Sequence, residues 1–182
     1  WLLKLIRLLE ASVETLSNAN VLRNDHCYLT AHKLKYRAPS DYGLGQAAYN
    51  AIEVDLNEVV HNVWHSCDEY ISCHELVRRI SEEFGSPPNE TGMYIRLLIQ
   101  NEILLTDLRE CLAGRDCLSV LAGKLRKHPP EGQAAALLSM LLEIEILLYD
   151  YTQQPLCAGL DTYLPLISRM QAVVQSENYL NV

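Results

Sequence analysis

The stretch from residue 72 to residue 107 constrains the fold most, because it carries start and stop signals for two helices followed by a strand. Ser72 stands three residues before Glu75, which is a capping box in which each side chain satisfies a free backbone N–H group. Apolar residues then recur at helical spacing up to Gly85, a favourable residue for the left-handed end of a helix. The first helix is therefore predicted to run from residue 72 to the turn at Gly85.

A second helix and a short strand complete this stretch. Pro87 and Pro88 block continuation of the first helix, and we expect Asn89 to cap a second helix that ends near Asn101. The apolar segment 103–105 reads as a strand. Helix, turn, helix and strand in this order predict the core of a winged helix-turn-helix.

The charge of the chain argues against the DNA-binding function that such a fold usually suggests. The 182 residues carry a formal net charge of −8, whereas nucleic-acid binders present a basic surface. The second helix, which would be the recognition helix, has one base, Arg96, against the acid Glu90, and a second acid, Glu102, stands just past its end. A winged-helix DNA-binding regulator stays an alternative, but the charges favour a different ligand.

The rest of the chain predicts an α+β protein that is mostly helical, with a small antiparallel sheet in the winged region and a three-helix unit after it. We divide it into an N-terminal helix (1–20), a winged-helix domain resembling a peptide-recognition domain (21–109) and a C-terminal helical unit (110–182). The predicted elements are a helix at 1–16, a short strand at 21–23, strands at 27–34 and 49–56 around a loop at 36–46, and helices at 57–67, 116–127, 133–151 and 161–175.

The chain shows no recognisable catalytic or cofactor motif. A phosphate-binding loop, a dinucleotide glycine fingerprint, HExxH and GxSxG are all missing from the sequence, so we predict no catalytic residue and no cofactor. The cluster His65, Cys67, Cys73 and His74 has spacings that fit no zinc pattern, and we predict no metal site. The six cysteines read most simply as reduced, buried thiols of a cytoplasmic protein.

No run of about 18 apolar residues exists, so we predict no membrane span, and the amphipathic opening is not a secretory signal. The chain lacks an initial Met, and we expect it to be an internal part of a longer protein.

The order of several segments resembles a known family. WLLKLIRLLEAS, AIEVDL, HELVRRISEEFG and IRLLIQNEILLTDLRECL occur in this order, with YLPLISRMQAVVQSENYLNV at the end. The most specific of these is the pattern LI-x-x-x-x-LL-x-DLR from Leu98 to Arg109. In these segments the whole chain resembles the N-terminal glutamylation region of lantibiotic (class I lanthipeptide) dehydratases.

The resemblance implies a parent enzyme that uses glutamyl-tRNA to glutamylate Ser and Thr of a precursor peptide and then eliminates glutamate. It also implies a winged-helix element that binds the leader of the precursor as an added β-strand, and it leaves open a homodimeric parent. The arginine-rich catalytic motif and the elimination domain of the family have no counterpart here, so the resemblance implies that this segment alone is not catalytic.

Reasoning from the residues leads to the same kind of site. The edge of a strand offers unpaired N–H and C=O groups that an extended peptide can pair with. The candidate edge is 52–56 with Ile52 and Val54, and the candidate helix is 89–101. The helix contributes three apolar residues to the groove, Met93, Tyr94 and Leu97. It also contributes Arg96, which could pair with an acidic residue of the leader. The alternatives are that the apolar residues are simply core, and that the segment is a structural scaffold without a ligand.

Overall fold

The computed structural model describes residues 1–39, 49–113, 116–127, 132–155 and 159–175. The chain forms an α+β fold that is mostly helical with small antiparallel sheets, as the sequence predicts. It divides into two compact units, one of Trp1–Leu16 with Leu108–Val182 and one of Ser17–Asp107. No helix among the described residues is long and apolar enough to cross a lipid bilayer.

The elements are numbered in chain order. The α-helices are α1 (Leu2–Ala11), α2 (Val13–Ser17), α3 (Glu58–Ser66), α4 (Cys73–Phe84), α5 (Pro88–Gln100), α6 (Cys117–Lys127), α7 (Gly132–Gln153) and α8 (Leu160–Gln175). The strands are β1 (Asn20–Arg23), β2 (Tyr28–Leu29), β3 (Lys33–Pro39), β4 (Tyr49–Asp55), β5 (Ile71–Ser72) and β6 (Leu104–Thr106). A 3₁₀ helix follows β6 at Asp107–Ala113.

The unit Ser17–Asp107 contains two antiparallel three-stranded sheets rather than one. In the first sheet β1 lies between β5 and β6, and in the second β3 lies between β2 and β4. The helices α3, α4 and α5 follow β4 in the chain, with β5 between α3 and α4. The predicted order of helix, turn, helix and strand is therefore present in α4, α5 and β6.

The predicted start and end of α4 are confirmed, and the predicted cap of α5 is corrected. The Ser72 hydroxyl accepts a hydrogen bond from the Glu75 backbone N–H at 3.2 Å, and Gly85 ends α4 with φ +62°. The other half of the predicted capping box does not form, because the Glu75 carboxylate accepts from two arginines of α4 instead. Asn89 is not the cap of α5, because the helix already begins at Pro88, whose fixed φ suits a first helical position. Asn89 thus lies inside the first turn.

The predicted strand at 27–34 divides into β2 and β3. A turn separates them, in which the Thr30 N–H donates to the Lys33 carbonyl at 2.8 Å and the Thr30 hydroxyl accepts from the Lys33 N–H at 3.1 Å. Part of the predicted loop at 36–46 belongs to β3, since pairing with β4 continues to Pro39. The remainder of that prediction falls on residues 40–48, outside the described residues.

The first helix joins the core of the C-terminal helices. Its prediction as one helix to residue 16 is wrong, because extended backbone at Ser12 (φ −77°, ψ 127°) separates α1 from α2. Leu5 and Leu9 of α1 are fully buried in one core with Leu121 of α6 and Leu141 of α7. This burial explains why Trp1–Leu16 groups with Leu108–Val182 in one unit.

Candidate functional site

The strand β4 lies at the edge of its sheet. It pairs with β3 in antiparallel register, with Val54 opposite Leu34 and Ile52 opposite Tyr36. Within the residues that the structure describes, β4 has no second strand partner. One row of its backbone groups is therefore available for pairing.

The hydrogen-bond pattern identifies which backbone groups face the open side. The Leu56 N–H donates to the His32 carbonyl at 2.9 Å, and hydrogen-bonded pairs alternate along an antiparallel ladder. The backbone groups of Val54 and Ile52 therefore point towards β3, and those of Glu53 and Ala51 point away from it. An added strand would pair with this second set.

The side chains of β4 also alternate. Ile52 and Val54 are half-buried on the face that carries the buried residues Leu34 and Tyr36 of β3, whereas Glu53 is exposed. On the outer face the Glu53 carboxylate accepts hydrogen bonds from the ammonium groups of Lys33 and Lys35, both at 2.7 Å. These bonds favour the charged form and lower the pKa of Glu53 to about 2.

The helix α5 exposes apolar side chains that the core does not use. Ile95 and Ile99 are fully buried, but Met93 is 65% exposed and Leu97 is 54% exposed. The alternative that these two residues are core is therefore wrong for the described unit. Tyr94 is half-buried, so α5 combines an inward face with an unpartnered apolar surface.

A hydrogen bond joins α5 to the end of β4. Asn57, two residues after the end of β4, caps α3 by accepting from the Val60 N–H at 2.8 Å. The side chain of Asn57 also forms a hydrogen bond with Tyr94 of α5. Burial raises the pKa of the Tyr94 hydroxyl, and the bond to Asn57 opposes that change. No sequence pattern predicts this contact, since the two residues are distant in the chain.

Next to this contact lies a cavity of about 290 Å³ between α3, α4 and α5. Its walls are mostly apolar, with hydroxyl and carboxyl groups on the α5 side, and they are formed by Asn57, Val59, Ile80, Phe84, Ser86, Glu90, Thr91 and Tyr94. Ser81, Ser86 and Thr91 share hydroxyl hydrogen bonds at the turn between α4 and α5. The cavity is thus built on a fixed turn.

Arg96 carries the free cation of this surface. Its Nε atom is buried without a hydrogen-bond partner, and Arg96 forms no ion pair within the described part of the chain. Its charge also acts on Cys73, where burial raises the thiol pKa to about 11 and the nearby guanidinium opposes the change. An unpaired buried N–H group carries a free-energy cost, and the guanidinium has no carboxylate partner among the described residues.

A second long-range contact, between Tyr36 and Glu102, was also missing from the sequence prediction. The Tyr36 hydroxyl donates to the Glu102 carboxylate at 3.2 Å, and both groups are buried. Glu102 has φ +57°, a left-handed conformation that glycine normally takes. Its backbone carbonyl accepts from the Asn24 side chain at 2.7 Å, so the position is fixed from two sides.

Three or more metal ligands do not come together among the histidines and cysteines that the structure describes. No group of three or more His, Cys, Asp or Glu residues suited to a metal ion occurs among the residues with described positions. Cys67 and Cys73 are buried free thiols, and burial raises the pKa of Cys67 to about 12. The prediction of buried thiols is thus confirmed for Cys27, Cys67 and Cys73, whereas the free thiol of Cys117 is only half-buried.

The whole chain, residues 1–182, matches the family described as lantibiotic dehydratase, N terminus. The chain therefore belongs to the lantibiotic dehydratases and corresponds to their N-terminal region.

Among curated relatives, the epidermin biosynthesis protein EpiB of Staphylococcus epidermidis is 25% identical over 183 residues, covering 100% of this chain and 18% of EpiB. Two solved structures share the fold. The tRNA-dependent lantibiotic dehydratase MibB from Microbispora sp. 107891 has a TM-score of 0.84 at 19% identity, over 95% of this chain and 17% of that chain. The glutamylation domain of TbtB, from thiomuracin biosynthesis, has a TM-score of 0.61 at 16% identity, over 97% of this chain and 19% of that chain. The chain thus spans less than a fifth of the length of these relatives.

Proposed function

We propose that the unit Ser17–Asp107 binds the leader segment of a precursor peptide by strand addition to the open edge of β4, beside α5. One observation carries the proposal. β4 pairs on one side only within the described residues, while α5, joined to its end through Tyr94 and Asn57, leaves Met93 and Leu97 more than half exposed. Backbone pairing supplies affinity in this binding mode, and side-chain pockets supply specificity.

The two faces of β4 assign different roles to alternate residues of the peptide. Side chains on the inner face meet Ile52, Val54 and the apolar surface of α5. An acidic side chain on the same face pairs with the guanidinium of Arg96, which has no ion-pair partner in the described structure. Side chains on the outer face meet Glu53 and Asp55, which favour basic or polar residues there.

For the parent protein we propose glutamyl-tRNA-dependent glutamylation and elimination at Ser and Thr of the precursor. Support comes from family membership and from the likeness in fold to a tRNA-dependent dehydratase and to a glutamylation domain. In this proposal the parent acts in the cytoplasm, where aminoacyl-tRNA is made. The segment captures the substrate, and the tRNA and the catalytic groups are handled elsewhere in the parent.

The direct test is a titration of the 182-residue chain into the fluorescently labelled leader of the precursor encoded beside the parent enzyme. We expect saturable binding with a dissociation constant of about 10 μM or lower, and no saturation with a scrambled leader. Failure of the leader to bind at several hundred micromolar would contradict a self-sufficient site.

A matched pair of variants distinguishes peptide binding from a purely structural role. Met93→Glu places a charge on the proposed groove, and Leu164→Glu places a charge on α8. The two residues are equally accessible, since Met93 is 65% exposed and Leu164 is 66% exposed. Burial of a Met side chain is worth about 1.5–3 kcal/mol, so Met93→Glu should weaken leader binding at least tenfold. Leu164→Glu should leave the affinity unchanged. Equal affinities in two folded variants would favour the scaffold role.

A further inference from the structure

Two histidines stand one turn apart on the exposed face of α3. His61 and His65 occupy positions i and i+4, which are neighbours on a helix surface, and both are exposed. Their ring centroids are 4.4 Å apart with the ring planes tilted by 56°. The opposite face of α3 anchors the helix through the buried residues Val60, Val63 and Trp64.

No described residue uses the ring nitrogens of this pair. Across the described ranges, neither the His61 nor the His65 imidazole forms a hydrogen bond or an ion pair, and the two rings contact each other. Neutral imidazole offers one nitrogen lone pair as a metal ligand. Two such lone pairs within reach of one point form a chelate.

We propose that His61 and His65 together bind one divalent transition-metal ion, such as Zn²⁺, Ni²⁺ or Cu²⁺, with water completing the coordination. Imidazole nitrogen suits these ions, whereas Mg²⁺ and Ca²⁺ take oxygen ligands. Paired histidines at i and i+4 also supply two of the ligands in zinc proteases that carry the HExxH motif.

The residues around the histidine pair determine whether a bound ion could support hydrolysis. In HExxH the residue after the first histidine is a Glu that acts as general base, but here it is Asn62, whose side-chain amide donates to Glu83 at 2.5 Å. The site therefore binds an ion without this hydrolytic base. The nearby thiols of Cys67 and Cys73 are buried and do not add ligands. Two protein ligands give reversible binding that holds two successive turns of α3 together.

The test is a calorimetric titration of the full 182-residue chain, without a histidine tag, with Ni²⁺ and with Zn²⁺. His61→Gln and His65→Gln each remove one ligand, and His74→Gln removes an exposed histidine from α4 as the matched control. We expect one ion per chain, at least tenfold weaker binding in His61→Gln and in His65→Gln, and unchanged binding in His74→Gln.

A second measurement separates binding to the folded helix from binding to an unfolded chain. An ion that binds only the folded state raises the melting temperature, so saturating Ni²⁺ should raise that of the parent chain and of His74→Gln. It should raise that of the other two variants by clearly less, with their fold to be checked by circular dichroism. The proposal is overturned if His61→Gln and His65→Gln bind as tightly as the parent chain, or if all three variants lose affinity equally.

Discussion

At the scale of single residues, two glycines of the helix-turn-helix have opposite roles. Gly85 ends α4 at φ +62°, where any other residue is strained, whereas Gly92 lies inside α5. A Cβ atom at Gly92 would lie 3.9 Å from the Val77 side chain, an ordinary contact distance. The first glycine is required by the backbone, and the second is not.

We therefore predict changes of opposite sign for the two alanine variants. Gly85→Ala should lower the free energy of unfolding by about 1–2 kcal/mol because of the left-handed backbone. Gly92→Ala should raise it by up to about 1 kcal/mol because alanine is the better helix former. Urea unfolding measures both, and a stabilising Gly85→Ala would contradict the assignment of that position.

The carboxylate of Glu53 gives a prediction about pH. Its pKa is lowered from 4.5 to about 2 by hydrogen bonds from Lys33 and Lys35 and by their charges. A lowered pKa in the folded state contributes stability above the unfolded value, and this contribution is lost as the pH falls from about 4.5 through about 2. An NMR titration of the Glu53 side chain should give a midpoint well below 4.5, and a normal midpoint would contradict the paired geometry. In the double variant Lys33→Gln/Lys35→Gln the midpoint should return towards 4.5.

At the scale of secondary-structure elements, local signals in the sequence were sufficient for several predictions. The cap at Ser72, the helix end at Gly85 and the alternation along β4 depend on neighbours in the chain, and all three are present in the structure. The exposure of Leu97 could not be predicted in this way, because helical spacing alone does not show which side of α5 faces the core. The bond between Asn57 and Tyr94 depends on tertiary packing and was invisible for the same reason.

The open edge of β4 predicts a difference between two substitutions at one position. Glu53→Pro removes an N–H group that points away from β3, and proline is tolerated at strand edges where its nitrogen faces solvent. Glu53→Ala keeps that N–H group. Both substitutions remove the carboxylate that binds Lys33 and Lys35, so they differ only in the backbone. We expect Glu53→Pro to weaken leader binding at least tenfold and Glu53→Ala to change it by less than threefold. Equal effects would indicate that the backbone edge is not the binding element.

At the scale of the whole molecule, the Asp-Leu-Arg pattern at residues 107–109 forms side-chain hydrogen bonds within each of the two units. Asp107 accepts hydrogen bonds from the backbone and the side chain of Asn20 at 3.2 and 3.1 Å, within the unit Ser17–Asp107. Arg109 belongs to the other unit and donates through Nε and one terminal nitrogen to the Glu10 carboxylate, at 2.8 and 2.7 Å. The resemblance pointed to this pattern, but its partners near the start of the chain became visible only in the fold.

The buried ion pair of Glu10 and Arg109 predicts how the helical unit responds to mutation. Their side chains are 4% and 11% exposed, so either single replacement leaves the other charge buried without its partner in this pair. Glu10→Leu should destabilise the unit by about 3–5 kcal/mol, and the double variant Glu10→Leu/Arg109→Met by less than Glu10→Leu alone. Thermal and urea unfolding of the three chains measure the difference. A double variant that is no more stable than Glu10→Leu would show that the two residues do not act as a pair.

The most direct test of strand addition is backbone amide hydrogen exchange along β4, measured by NMR with and without saturating leader peptide. The account predicts slower exchange at the N–H groups of Ala51 and Glu53, which face the open edge, and little change at Ile52 and Val54, which already face β3. Binding of the leader with no added protection at Ala51 and Glu53 would contradict the account.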